Sequence, residues 1–72
     1  MTSVSGKQLC RALERNGWTL ARINGSHHIY VKSGELARIS VPVHGNASLK
    51  TGLLRALLKI AGLTERDVTD QN

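Results

Sequence analysis

Two adjacent histidines, in the stretch Gly25-Ser26-His27-His28-Ile29-Tyr30, are where ionisable side chains enter an otherwise strand-like run of this 72-residue chain. Gly25 and Ser26 suit a turn, and His27 to Val31 is β-prone, so successive side chains point to opposite faces of a sheet. His27 then shares a face with Ile29 and Val31, and His28 shares one with Tyr30 and Lys32. The expectation is one imidazole on the apolar side of the strand and the other on the polar side. An imidazole titrates near pH ~6.5, so either ring is a candidate general base or acid at neutral pH. The competing reading is a histidine that is merely structural or solvated at a strand start.

The other reactive side chains offer less. Cys10 falls in a helical pattern beside Leu9 and Leu13, where a free cysteine behaves as a small hydrophobe and not as a nucleophile. A single cysteine excludes an internal disulfide framework and agrees with a reducing, cytoplasmic setting. Cys10, His27, His28 and His44 would be an unusual metal set, and neighbouring strand residues point apart, so His27 and His28 do not readily share one ion. No metal or other cofactor is expected.

Charge narrows the class of partner. Ten Lys and Arg oppose five Asp and Glu, for a formal net charge of +5. Up to Thr64, nine basic residues face only Glu14 and Glu35, so most of the acid lies in the tail. That excess favours a polyanion, with nucleic acid the commonest choice, over a basic surface that is only solvated. No apolar run approaches the ~20 residues of a membrane span and no signal-peptide h-region is visible, so neither membrane association nor export is expected. With two aromatics, Trp18 and Tyr30, and no Phe, the chain lacks the stacking platform of a single-strand reader, and Trp18 is expected in the core.

These side chains must be positioned by a small scaffold, expected to be one domain with its core at about 5–63 and a frayed tail at 69–72. Ser5-Gly6-Lys7-Gln8 has the spacing of a capping box and starts a helix. Leu9 and Leu13 repeat at i and i+4, while Lys7, Arg11 and Arg15 form a second stripe, and Asn16-Gly17 ends the helix. Trp18 to Asn24 reads as a first strand, His27 to Val31 as a second and Leu36 to Val43 as a third. The third puts Ala37, Ile39, Val41 and Val43 on one face, and Pro42 marks it as an edge or a strand end. A loop at 44–49 leads into a second helix from Lys50 or Thr51. Leu53, Leu57, Ile60 and Ala61 are expected on its packed side with Leu54 and Leu58 at the margin, and Gly62 stops it. Thr64-Glu65-Arg66-Asp67 is a weaker start signal for one final turn.

The order helix, three strands, helix describes a two-layer α+β domain, a three-stranded antiparallel sheet with both helices on one face, the shape of a double-stranded-RNA-binding domain. Ser5-Gly6-Lys7, Asn16-Gly17-Trp18, Gly25-Ser26-His27-His28, Val41-Pro42-Val43-His44-Gly45 and Leu49-Lys50-Thr51-Gly52, in this order and spacing, resemble the HicA toxins of bacterial toxin–antitoxin modules. The resemblance covers about residues 5–63. It implies a double-stranded-RNA-binding-like fold, cleavage of single-stranded messenger RNA, translational arrest and neutralisation by a HicB-type antitoxin. The family's active histidine follows Gly-Ser, which falls on His27, with the adjacent His28 as the alternative.

The chemistry stands on its own terms. RNA is cut without a metal when a base removes the 2′-OH proton and a cation stabilises the phosphorane, and DNA, lacking that hydroxyl, is not expected to bind productively by itself. Lys50, at the start of the second helix, is expected to meet a phosphate, with Ser26, Lys32 and Arg55 as further RNA contacts. No second catalytic partner is evident from spacing alone. His44 is one candidate, against the reading of a loop histidine without function.

Overall fold

The computed structural model describes residues 3–69. Helix α1 (Gly6–Arg15) is followed by strands β1 (Thr19–Asn24), β2 (His27–Val31) and β3 (Ile39–Pro42), helix α2 (Thr51–Ala61) and a short helix α3 (Glu65–Thr69). The strands form one antiparallel sheet in the order β1-β2-β3, and α1 and α2 pack on it. The architecture is the α-β-β-β-α sandwich expected from the sequence.

Local chemistry explains the boundaries. Ser5 Oγ accepts the Gln8 N–H at 3.2 Å while Gln8 Oε1 accepts the Ser5 N–H at 2.8 Å, so the capping box satisfies the first free donors of α1. At the other end Gly17 takes φ 93°, which lets its N–H reach Glu14 O and the Trp18 N–H reach Leu13 O at 2.9 Å. This Schellman arrangement turns the chain straight into the sheet and buries Trp18. Asn24 pairs with His27 across the two-residue turn Gly25-Ser26, whose first residue has φ 64°.

The core gathers Leu9, Ala12 and Leu13 of α1, Tyr30, Ile39 and Val41 of the sheet, and Leu54, Leu57 and Leu58 of α2. Cys10 is buried among them, in keeping with a packing role. Tyr30 is 1% exposed, and its hydroxyl donates to Glu14 Oε2 at 2.7 Å, which satisfies the one polar atom that the buried ring carries.

Four expectations need correction. The third strand begins at Ile39 and not at Leu36, which is fully exposed: the ladder with β2 stops at the Tyr30–Ile39 pair, and residues 36 and 37 fall beyond the end of β2 at Val31. In α2 the packed side is Leu54, Leu57 and Leu58, while Leu53 and Ile60 stay exposed; the helix is rolled so that the supposed margin meets β3. The final turn closes into α3, capped by Thr64 and Asp67, and it extends through Thr69, with Val68 fully buried against the core and the Arg15 guanidinium donating to Asp67 O. Residues 70–72 of the expected tail lie outside the described residues.

The fourth correction concerns the histidines. Cross-strand partners share a face, and His28 pairs with Val41 and Tyr30 with Ile39, so the face carrying His28 and Tyr30 is the one the helices cover. His27, Ile29 and Val31 lie on the open face. The alternation was right and its sense inverted, since Tyr30 supplies an apolar ring and not a polar surface.

Candidate active site on the open edge of the sheet

β2 starts immediately after the Gly25-Ser26 turn, so His27 is held at the end of the sheet, exposed, opposite Asn24 on one side and Pro42 on the other. His28 is half-buried between Ile23 and Val41 on the helix-covered side. The two rings therefore reach different environments, the first exposed and the second half-buried.

β1 adds a charge to the open face through an irregularity. Leu20 pairs with Tyr30 but Arg22 with Ile29, so Ala21 is an extra residue in the ladder. Strict alternation from Thr19 would put Arg22 on the covered side. The bulge instead brings Arg22 and Asn24 to the face of His27, with Arg22 diagonally adjacent to it. Nothing in the sequence marks the bulge, and Arg22 was not among the candidates.

Beyond β3 the chain turns through 43–50 and forms a cleft of about 220 Å³ lined by Pro42, His44, Ala47, Ser48, Leu49, Lys50 and Leu53. Several backbone bonds build it. Val43 N–H donates to Ser26 O at 2.8 Å, Ala47 N–H to His44 O at 3.0 Å and Leu49 N–H to Val4 O at 2.7 Å. The N-terminal segment thus bridges to the loop before α2, with Ser5 opposite Ser48 and a hydroxyl contact between Ser3 and Ser48. Gly6 permits the tight approach of α1 to this corner, because a Cβ there would lie 2.3 Å from Pro42 O.

Lys50 is the N-cap of α2 and makes no side-chain capping bond, so first-turn N–H groups and a lysine cation lie together at the cleft. Such a helix start attracts anions. Pro42 joins the parts, being both a wall of the cleft and the strand partner of His27.

The remaining sequence candidates scatter. Ser26 sits in the turn beside His27 and uses its carbonyl to hold Val43. Lys32 lies past the opposite end of β2, its ammonium 5.9 Å from the Trp18 ring centre, so it is not brought to His27. Arg55 is five residues along from Lys50 and meets Glu65 at 3.9 Å in an exposed pair of little energetic weight. Lys7, Arg11 and Arg15 are exposed along α1. Among the described residues no group of three or more His, Cys, Asp or Glu side chains is arranged to hold a metal ion, and no helix is long and apolar enough to cross a membrane.

A family model described as the HicA toxin of bacterial toxin–antitoxin modules matches residues 6–63. The chain belongs to the HicA toxin family. Comparison with curated proteins gives no match. The span matched runs from the first residue of α1 past the end of α2, so it contains the open sheet face, the cleft and the helix start, and omits α3. A toxin of this family acts within a module that also includes an antitoxin.

Proposed function

We propose that this HicA toxin is a cytoplasmic ribonuclease that cuts messenger RNA without a metal and is held inactive by a HicB-type antitoxin. The observation that carries the reading is the position of His27, exposed on the open face and paired with the proline that walls the Lys50 cleft. A single-stranded RNA laid across this corner meets a base, a helix start and two cations, Arg22 and Lys50. His27 takes the proton from a 2′-OH, and the new 2′ oxyanion attacks the adjacent phosphorus. The cations and the α2 N–H groups favour the extra negative charge that builds on the phosphoryl oxygens in the transition state. RNA is the substrate because only it has the attacking hydroxyl. An acidic antitoxin surface would compete with phosphate for the same cations, which is how binding would silence the enzyme.

The test is cleavage of a labelled single-stranded RNA by purified protein, with growth arrest on expression as a second readout. His27→Ala is expected to lose cleavage by ~10²–10⁴-fold, the usual worth of a general base, with unchanged circular dichroism. His28→Ala should retain activity. The opposite outcome moves the base by one residue. Wild-type protein that shifts RNA but leaves it intact would instead identify a non-catalytic RNA-binding module, and activity abolished by EDTA would overturn the metal-free chemistry.

A further inference from the structure

A base alone leaves half of the reaction unassisted, because the departing 5′ oxygen must also acquire a proton. His44 is placed for that step. Pro42 is the register partner of His27, and the Val43 N–H bond to Ser26 O carries the pairing one residue past the end of β3. His44 is the next residue, two positions past the strand partner of His27. Pro42 and His44 both line the cleft, so the strand partner of His27 and His44 share one wall of it. Gly25 has no side chain, and nothing lies within 4 Å of where one would be, so the space at the turn next to His27 is open. The His44 backbone is fixed by the Ala47 N–H bond to its carbonyl, and Lys50 lines the same cleft.

We propose that His44 is the proton donor to the leaving 5′ oxygen in the cleavage that His27 begins. This rests on the ribonuclease reading above. His27, neutral, accepts the 2′-OH proton; the 2′ oxygen bonds to phosphorus; the bond from phosphorus to O5′ breaks; and the His44 imidazolium passes its proton to O5′. The products are a 2′,3′-cyclic phosphate and a 5′-hydroxyl. One proton gained by His27 and one lost by His44 exchange with water to restore the enzyme.

The experiment compares two synthetic RNA oligonucleotides containing the site the wild-type protein cuts, one natural and one with sulfur in place of the bridging O5′. A thiolate, whose conjugate acid ionises near pH ~8.5, leaves without being protonated, whereas an alkoxide does not. His44→Ala is expected to cut the natural RNA ~10²–10⁴-fold more slowly than wild type and the sulfur RNA within about tenfold of it. His44→Gln, which keeps hydrogen-bonding capacity without an acidic proton, is expected to behave as His44→Ala does. His27→Ala should be slow on both substrates. Because His44 is exposed, its variants are expected to melt with wild type. Near-normal cleavage of natural RNA by His44→Ala overturns the assignment, as does an equal loss on both RNAs, which would signify a role in binding. If the wild type cleaves no RNA at all, so that no such site can be found, the ribonuclease reading itself falls and this proposal with it.

Discussion

Replacing glycine by alanine in the first turn of a helix ordinarily stabilises it modestly, and here the two helices give opposite signs. At Gly6 of α1 a Cβ would stand 2.3 Å from Pro42 O and 3.2 Å from both Pro42 C and Val43 Cα, all backbone atoms that cannot rotate away. At Gly52 of α2 nothing lies within 4 Å. Relieving the first clash requires α1 and β3 to part by about 1 Å, an overpacking cost of roughly 1–3 kcal/mol. The propensity gain of alanine is at most about 1 kcal/mol, and less in a first turn. Gly6→Ala is therefore expected to destabilise by about 1–2 kcal/mol, lowering the melting temperature by roughly 5–15 °C in a domain of this size. Gly52→Ala is expected to raise it by a few degrees. Gly6→Ala should also lose cleavage beyond its loss of stability, since the displaced Pro42 is the partner of His27, and a shift of about 1 Å in a catalytic group can cost ~10²-fold. Thermal and urea unfolding followed by circular dichroism, with cleavage measured where each variant is fully folded, decide the matter. A Gly6→Ala protein as stable as wild type, or two variants that shift in the same direction, would refute the packing argument.

Two further perturbations probe the scaffold. Burial holds the Cys10 thiol above its ordinary value of 9.0, and burial, then the hydrogen bond to Glu14, holds the Tyr30 phenol well above 10.0. Both groups ionise more readily unfolded, so the stability they lend is complete below those values and is lost as pH rises through and above them. Tyr30→Phe is expected to cost about 1 kcal/mol at neutral pH, for the lost bond to Glu14, and to flatten the fall of stability above about pH 10. Equal slopes for variant and wild type in urea titrations at several alkaline pH values would count against it. Val68→Ala removes two fully buried methyl groups from the α3 contact and should lower stability by about 2 kcal/mol. Its cleavage rate at low temperature should match wild type, because Asp67 of α3 meets Arg15 at the end of α1 away from Gly6 and the cleft.

Much of the scaffold was written in short-range spacing. The Ser5–Gln8 box, Gly17 after the first helix, the turn at Gly25-Ser26 and the Ile39–Val41 face are each fixed by residues within a few positions of one another, where period and backbone preference suffice. The five sequence blocks likewise point to the family on their own. What that reading could not supply was the side of the sheet on which a given residue ends up. His27 was placed with the apolar residues because Ile29 and Val31 are its neighbours in sequence, yet the covered face is chosen by pairing with Ile39 and Val41.

The same limit hid Arg22, which reaches the open face only through the bulge at Ala21, and left His44 an undecided loop residue. Alternation along one strand yields a period of two without its phase. The phase is set by contacts across strands and by where the helices lie, which are interactions between residues far apart in the chain. The scaffold and the family were thus determined by the sequence, whereas the choice of which imidazole takes the open face, and the meeting of Pro42, His44 and Lys50 around one cleft, were decided by tertiary packing.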